Sequence, residues 1–559
     1  TGAVGPGHGF ARLESLPHDI TAESVAGGSV LFRLFQPQPR TAGLYRAFTA
    51  GLGHQGLGRW ARTLWASARA FARWAAIGAL PGMAVVVVGA TGHGQARWAA
   101  IVAGVLCLVI GCLAGIGWGV LRSVGGPVPA NGFGICSGMP AAGSAGAPAL
   151  TPWLHTVLQE TAGRTADGPP VTFGDLTAVG VELRVMTTNL TRHEPLAMPW
   201  ATHEWFFDPT ELRRLFPAHV VEWMEQHPPA LSGSASEQRR TQQLREQALP
   251  LQPLPDAADL PIIVATRMSL SFPMLLSAVP LHAVDYAAPG ASAEHPAFGV
   301  NWWSDGGICS NLPVHFFDSP VPSRPTFAVD LATVGRLDAD DRENSYLPAY
   351  NGGGSRRRWT TWGTSGLGAT LAFVMSIVDS ARSWVDESHL TMPGYRDRIV
   401  TIFHDKSEGG MNLTMPKPTV ERLATRGQFA AAKLVDRFAG PAPGIEPADG
   451  WDNQRWIRLR TATAGLDAWL AAFDRGYAAA SPGATPYAQL AGPGAAAALP
   501  SYPLTQGRRD AVNARIAHLL ALAGEWAEDP ADAFTFRAPE PRPKLRLVPD
   551  DGASRVVRP

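Results

Sequence analysis

Two long stretches without a charged side chain constrain this chain more than any other feature. The first runs from Trp74 to Ala96 and contains Pro81, and the second runs from Trp98 to Leu121. About twenty apolar residues in a helix are enough to cross the hydrocarbon core of a bilayer. Because only a short polar segment separates the two stretches, the sequence predicts a transmembrane helical hairpin over residues 74–122. The alternative is a pair of buried helices in a large core.

The residues at the ends of these stretches indicate how such a hairpin sits in a bilayer. Tryptophans lie near both ends of the second stretch, where aromatic rings favour the membrane–water interface. Its small residues, among them Gly104 and Gly111, allow two helices to approach closely. Arginines precede the first stretch, and arginine-rich flanks stay on the cytoplasmic side. They are Arg59, Arg62, Arg69 and Arg73.

Composition limits the remaining possibilities. The 559 residues have a formal net charge of zero and no zinc-finger or basic-helix pattern, so no nucleic-acid partner is expected. Four cysteines in so long a chain do not form a disulfide framework, which favours a reducing compartment. Alanine and arginine prevail over isoleucine and lysine, as in GC-rich bacteria. We therefore expect a protein of the bacterial inner membrane.

Outside the hairpin, strand and helix patterns alternate, which predicts an α/β fold with a mixed or parallel central sheet flanked by helices. Residues 231–260 are rich in Ser, Gln, Arg and Pro and indicate an exposed insertion. Strands are predicted near 181–191, 261–266, 327–331 and 397–404. Helices are predicted near 151–160, 369–383, 419–438, 453–478 and 506–527.

Residues 301–318 contain the strongest candidate for a catalytic group. Asp305 is followed by Gly306 and Gly307, which let the backbone fold back tightly, and apolar residues flank the turn. A carboxylate held in such a turn at the edge of an apolar wall suits a general base, because partial burial can tune its pKa. A surface turn without chemistry has the same local pattern.

Together with two further segments, this turn resembles the patatin-like phospholipase family. The other two are the apolar run 261–280, which contains Arg267, and the end of the strand 181–191, with Thr-Thr-Asn-Leu-Thr. The resemblance covers roughly residues 150–440. It implies a patatin-like sandwich, hydrolysis of lipid esters, and Asp305 as the base of a Ser–Asp dyad. It implies no metal or organic cofactor. The arginine bias ahead of the hairpin, by contrast, is what predicts a catalytic body on the cytoplasmic side.

The nucleophile of that dyad belongs to a Gly-x-Ser-x-Gly elbow, which residues 1–559 contain only as near misses. Gly134-Ile-Cys136-Ser-Gly138 has cysteine in place of serine, and the sequences around Ser292 and Ser365 lack the last glycine. We therefore expect the serine to lie outside Thr1–Pro559 and the chain to be inactive alone. Cys136 is an alternative nucleophile, acting as an acyl-transfer thiol.

These observations give a provisional organisation. Residues 1–73 form an N-terminal segment of the catalytic domain, 74–122 the hairpin, 123–440 the catalytic core, and 441–559 a helical extension with a disordered tail. The alternative function is a membrane-anchored lipid-binding or scaffold protein that has the fold without the activity. His193-Glu194 and His203-Glu204 lack the spacing of a helical metal site, so we expect no metal there.

Overall fold

A computed structural model describes most of the chain as two compact units. The first contains Thr1–Asn311, His404–Ala424 and Asp550–Pro559, and the second contains Leu312–Phe403 and Thr425–Pro549. This division falls inside the predicted 123–440 core. The residues described are 7–22, 29–50, 57–142, 148–292, 294–349, 363, 365–405, 407–409, 412–439, 450–479, 483–491, 501, 504–530 and 532–545. Most of the predicted disordered tail lies outside these residues.

The first unit combines helices with short strands. Its helices are α1 (Gly7–Thr21), α2 (Val30–Leu34), α3 (Ala42–Thr49), α4 (Leu57–Ala70), α5 (Ala72–Thr91), α6 (Gln95–Gly125), α7 (Pro127–Ala130), α8 (Leu150–Thr161), α9 (Phe173–Ala178), α10 (Pro209–Leu212), α11 (Ala218–Gln226), α12 (Ala235–Ala248) and α13 (Ile262–Ser269). Its strands are β1 (Gly134–Cys136), β2 (Val185–Asn189), β3 (Glu194–Met198), β4 (Phe206–Phe207), β5 (Gln252–Pro253), β6 (Met274–Leu276), β7 (Val279–Val284) and β8 (Phe298–Asp305).

The second unit is mainly helical around a small sheet. Its strands are β9 (Ala328–Thr333), β10 (Ser345–Tyr346) and β11 (Ile399–His404), whose last residue belongs to the first unit. Helix α15 (Lys417–Phe438) begins in the first unit and continues in the second. The other helices are α14 (Gly366–Thr391), α16 (Gly450–Ala478), α17 (Tyr487–Ala491) and α18 (Gln506–Glu528).

The main sheet has six strands in the order β3-β2-β8-β7-β4-β5. Every neighbouring pair in it is antiparallel. A separate parallel pair joins β1 to β6, with Cys136 opposite Leu276. The mixed α/β class predicted from the sequence is therefore confirmed, although this main sheet is antiparallel rather than parallel. The patatin-like sandwich stays a prediction.

Aromatic packing holds one face of this sheet. Trp303 of β8 is fully buried and packs against Trp200 and Trp205, with ring centroids 4.5 and 4.9 Å away. Apolar side chains of α11 and α13, including Met224 and Ile263, complete the same core. Rings of this size dominate the area a core buries, so β8 is fixed close to the point where it ends.

Helices α5 and α6 form the predicted hairpin, and both are long and apolar enough to cross a membrane. Their backbones approach closely, because a Cβ added at Gly78 would run into the carbonyl of Gly111, and one added at Gly111 would run into the carbonyl of Gly78. Gly115 meets the backbone of Trp74 in the same way. Close approach through small residues is how helices associate in lipid.

One local prediction was wrong. Residues 261–266 are not a strand, because Ile262 begins the helix α13, whose apolar residues are buried all round. A fully buried helix and a buried strand give the same continuous apolar run, so periodicity cannot separate them. The predicted insertion 231–260 is mostly exposed over residues 231–250, and it contains a regular helix, α12, which begins with Ser234 and Glu237 in a capping box.

A buried charge cluster organises part of the second unit. The carboxylate of Asp318 lies 3.0 Å from Arg398 and 2.8 Å from Arg458. Both guanidinium groups also stack on the ring of Tyr395, 4.7 and 4.4 Å from its centroid. The two guanidinium groups thus share one carboxylate and one aromatic ring, and burial raises the pKa of the Tyr395 hydroxyl.

Candidate functional site

Asp305 is the last residue of β8 and begins a short turn of 3₁₀ helix, Gly306–Ile308. Its side chain is half-buried, and its Oδ1 accepts a hydrogen bond of 2.6 Å from the backbone N–H of Gly307. Its own N–H donates to the carbonyl of Ser271 over 3.2 Å. The carboxylate is therefore held at the end of a rigid strand.

The two glycines after Asp305 are required by close contacts. A Cβ at Gly306 would collide with the carbonyl oxygen of Met186 on the neighbouring strand. A Cβ at Gly307 would lie 2.5 Å from the side-chain oxygen of Asn311 and 2.9 Å from Oδ1 of Asp305. A larger residue at Gly306 must displace the backbone turn, whereas one at Gly307 must displace the side chain of Asn311 or the Asp305 carboxylate itself.

The three segments that carry the family resemblance meet at this turn. Thr187 of β2 pairs directly with Asp305 in the sheet. The hydroxyls of Thr187 and Thr188 donate to the carbonyls of Ser304 and Asp305, both over 2.9 Å. The hydroxyl of Ser304 donates to the carbonyl of Ser271, which follows α13. Segments far apart in sequence thus fix the backbone on both sides of the carboxylate.

The buried guanidinium of Arg267, on α13, supports this arrangement by binding Ser271. Its side chain is 0 % exposed. Its Nη1 donates to the hydroxyl of Ser271 over 2.6 Å, and its Nη2 donates to the carbonyls of Ser137 and Ser277 over 2.9 and 3.0 Å. We call these four residues the Arg267 network. It ties the loop after β1, the end of α13 and the end of β6 to one side chain.

The charge of Arg267 is held mainly by carbonyl and hydroxyl oxygens. Burial lowers its pKa to about 10, and nearby Cys136 opposes this shift. Its Nε is buried and has no hydrogen-bond partner among the described residues. The sequence pattern assigned Arg267 no role, although an arginine within an apolar run that is otherwise buried must find polar partners. This need for buried polar partners is the sequence signal that could have identified Arg267.

Cys136, the alternative nucleophile, ends the short strand β1 and is fully buried. Burial raises the pKa of its thiol to about 12, and Arg267 only partly opposes this shift. The reactive form of cysteine is the thiolate, so the protonated thiol is a poor nucleophile. An elbow also needs a sharp strand-to-helix turn, whereas the next helix among the described residues begins at Leu150.

The other polar candidates lie apart from this arrangement. Ser292 closes a turn in the loop between β7 and β8, where its hydroxyl accepts from the N–H of His295. Ser365 is exposed just ahead of α14. The carboxylate of Glu204 lies 3.1 Å from Arg192, and His203 lies 2.6 Å from Asp256. Over the described residues, no group of three or more His, Cys, Asp or Glu side chains is placed to hold a metal ion.

The described residues thus define a mixed α/β protein with two helices able to cross a membrane and an aspartate fixed at a strand end. The chain is 32 % identical over 526 residues to the RpoH suppressor of Rhizobium meliloti (strain 1021), an alignment that covers 85 % of this chain and 77 % of that protein. The chain belongs to the family of this RpoH suppressor. That name states no reaction. No protein-family model and no solved structure matches the chain.

Proposed function

We propose that this protein hydrolyses acyl esters of membrane lipids, with the carboxylate of Asp305 as general base. The observation that carries the proposal is the fixed, half-buried position of Asp305 on a turn that two glycines make possible. The meeting of the three resemblance segments at that turn supports the same function. A general base must be ionised, oriented and within reach of the proton it takes.

The proposed chemistry is a Ser–Asp dyad. The Asp305 carboxylate takes the proton of a serine hydroxyl while the serine oxygen attacks the ester carbonyl. The bond to the alcohol then breaks, the proton passes to the leaving alcohol, and an acyl-serine ester remains. The same carboxylate then takes a proton from water, whose oxygen attacks the acyl carbon. The bond to the serine oxygen breaks, that oxygen receives the proton from Asp305, and the fatty acid is released. The proposal places the serine outside residues 1–559.

We also propose that the two apolar helices anchor the protein in a membrane. Helix α5 has 20 residues, about 30 Å of helix, and α6 has 31, so each matches or exceeds the hydrocarbon core. In the proposed arrangement the hairpin spans the bacterial inner membrane and keeps the catalytic body beside its lipid substrate on the cytoplasmic side. The arginines ahead of α5 support that orientation.

The test is hydrolysis of a fluorogenic phospholipid by the complete gene product and by its Asp305→Asn variant. Asparagine still accepts the hydrogen bond from Gly307, so we expect an intact fold and a loss of rate of at least about 10²-fold. Asp285→Asn is the matched control, because Oδ1 of Asp285 accepts from the N–H of Ala287 over 3.0 Å in the same local pattern. Its rate should be unchanged.

Three outcomes would count against the dyad. If Asp305→Asn and the parent protein hydrolyse the lipid at equal rates, Asp305 is not the base. If only Cys136→Ser loses activity, the thiol is the nucleophile instead. A complete gene product that binds lipid without hydrolysing it would favour the lipid-binding or scaffold alternative.

A further inference from the structure

Positive charge is concentrated around the hairpin. Between Glu23 and Glu160 the sequence contains nine arginines and no lysine, aspartate or glutamate. The rest of the chain consequently has a formal excess of nine acidic groups, although the whole chain is neutral. Such a block of one sign favours contact with a surface of the opposite sign. The arginines are Arg33, Arg40, Arg46, Arg59, Arg62, Arg69, Arg73, Arg97 and Arg122.

Helix α4, just ahead of the hairpin, turns an apolar strip outward. Its inner face packs on α3, where a Cβ at Gly43 would lie 3.6 Å from both Ala70 and the ring of Phe71. Leu64 and Trp65 on the other side are 51 % and 63 % exposed. At 100° per residue, Arg62 and Arg69 lie along one edge of this strip. A helix with these two features is suited to lie in a membrane interface.

Arginine and tryptophan also lie together at the end of the hairpin nearest α4. Helix α4 ends at Ala70 and α5 begins at Ala72. The guanidinium of Arg69 lies 4.8 Å from the ring of Trp65, and those of Arg73 and Arg122 lie 5.4 and 6.0 Å from the ring of Trp74. Tryptophan and arginine together are typical of the headgroup level, where rings are half-immersed and cations meet phosphates.

From these observations we infer that α4 lies in the plane of the membrane and binds the headgroups of anionic phospholipids. Leu64 and Trp65 enter the boundary between headgroups and acyl chains, while Arg62 and Arg69 meet the phosphates. A nucleic acid or an acidic peptide would satisfy the arginines but leave this apolar strip in water. The inference rests on the proposed insertion of the hairpin, which holds α4 against the bilayer.

Amide hydrogen exchange of residues 57–70 tests whether α4 binds anionic headgroups, with the full-length protein reconstituted into nanodiscs. The discs contain phosphatidylcholine alone or an equal mixture with phosphatidylglycerol. We expect stronger protection in the anionic discs, reduced on the order of tenfold by Arg62→Gln with Arg69→Gln and retained when lysine replaces both. Raised salt should weaken the protection. Arg239→Gln with Arg240→Gln, which removes the same charge from the exposed α12, should change nothing.

The outcomes separate this inference from the proposal on which it rests. Release of the protein from vesicles by alkaline carbonate would show that the hairpin does not span the bilayer and would overturn both. Resistance to carbonate with equal exchange of residues 57–70 in the two kinds of disc would overturn the role of α4 alone. Loss of protection in the lysine variant would also overturn it, because charge would then not be the cause.

Discussion

The main-chain N–H of Asp305 donates a hydrogen bond of 3.2 Å to the carbonyl oxygen of Ser271. The same Ser271 accepts a hydrogen bond from the buried guanidinium of Arg267 through its hydroxyl. Arg267 therefore acts on the candidate base through a single intervening residue. A side chain without access to solvent fixes the backbone from which the half-exposed carboxylate projects.

Replacing Arg267 with methionine should destabilise the fold by about 3 kcal/mol, because three acceptors in the Arg267 network lose their donor in a buried setting. Chemical unfolding in detergent measures the change. The control is Arg184→Met, since Arg184 is exposed and contacts only nearby Glu182 at 2.8 Å among its described partners; it should cost less than about 0.5 kcal/mol. Equal losses would contradict a structural role for the buried charge.

Gly306→Ala should damage both stability and the position of Asp305, because the new methyl group meets a backbone carbonyl that cannot rotate away. We expect a loss of about 2 kcal/mol in the free energy of unfolding. Gly299→Ala in the same strand is the control, since its Cβ would lie at an ordinary 3.4 Å from Asp285. If the two variants unfold at the same denaturant concentration, the turn tolerates a side chain and the proposed constraint is wrong.

The sequence predicted those features that depend on local composition. Two uncharged stretches of sufficient length predicted α5 and α6, and Asp305 with its two glycines predicted a tight turn. The Arg267 network could not be predicted, because it joins Ser137 to Ser277 and Ser271 through contacts that exist only after the chain has folded. The helix α13 was mistaken for a strand, because burial on every side removes the periodicity that tells the two apart.

Cys136 should resist alkylation in the folded protein. Its thiol is fully buried and its pKa is raised to about 12, so at neutral pH almost none is thiolate. Iodoacetamide labelling followed by mass spectrometry should modify the half-buried Cys309 at least about tenfold faster. Both should react alike in denaturant. Rapid labelling of Cys136 in the native protein would revive the acyl-transfer alternative.

The hairpin should depend on Gly111 and not on Gly117, although both lie on α6. A Cβ at Gly111 meets the carbonyl of Gly78, whereas a Cβ at Gly117 meets no atom of the described residues within 4 Å. Gly111→Val should separate α5 from α6 and lower the melting temperature in detergent, with a cost of about 2 kcal/mol. Gly117→Val should leave it almost unchanged. A comparable fall in both variants would mean that helix propensity, rather than close packing, explains the effect.

Asp397 should make the second unit less stable as pH rises from about 4 to about 6. This carboxyl is fully buried, and desolvation raises its pKa to about 6. The hydrogen bonds of 3.1 and 3.2 Å that it accepts from the N–H of Gly394 lower the pKa, but less than desolvation raises it. The folded state then binds a proton that the unfolded state has already lost, so protonation favours folding by up to roughly 3 kcal/mol below this range. Asp397→Asn removes the titration. The melting temperature of this variant should exceed that of the parent protein at pH 7, and the difference should shrink toward pH 4. A difference independent of pH would show that Asp397 does not titrate in this range.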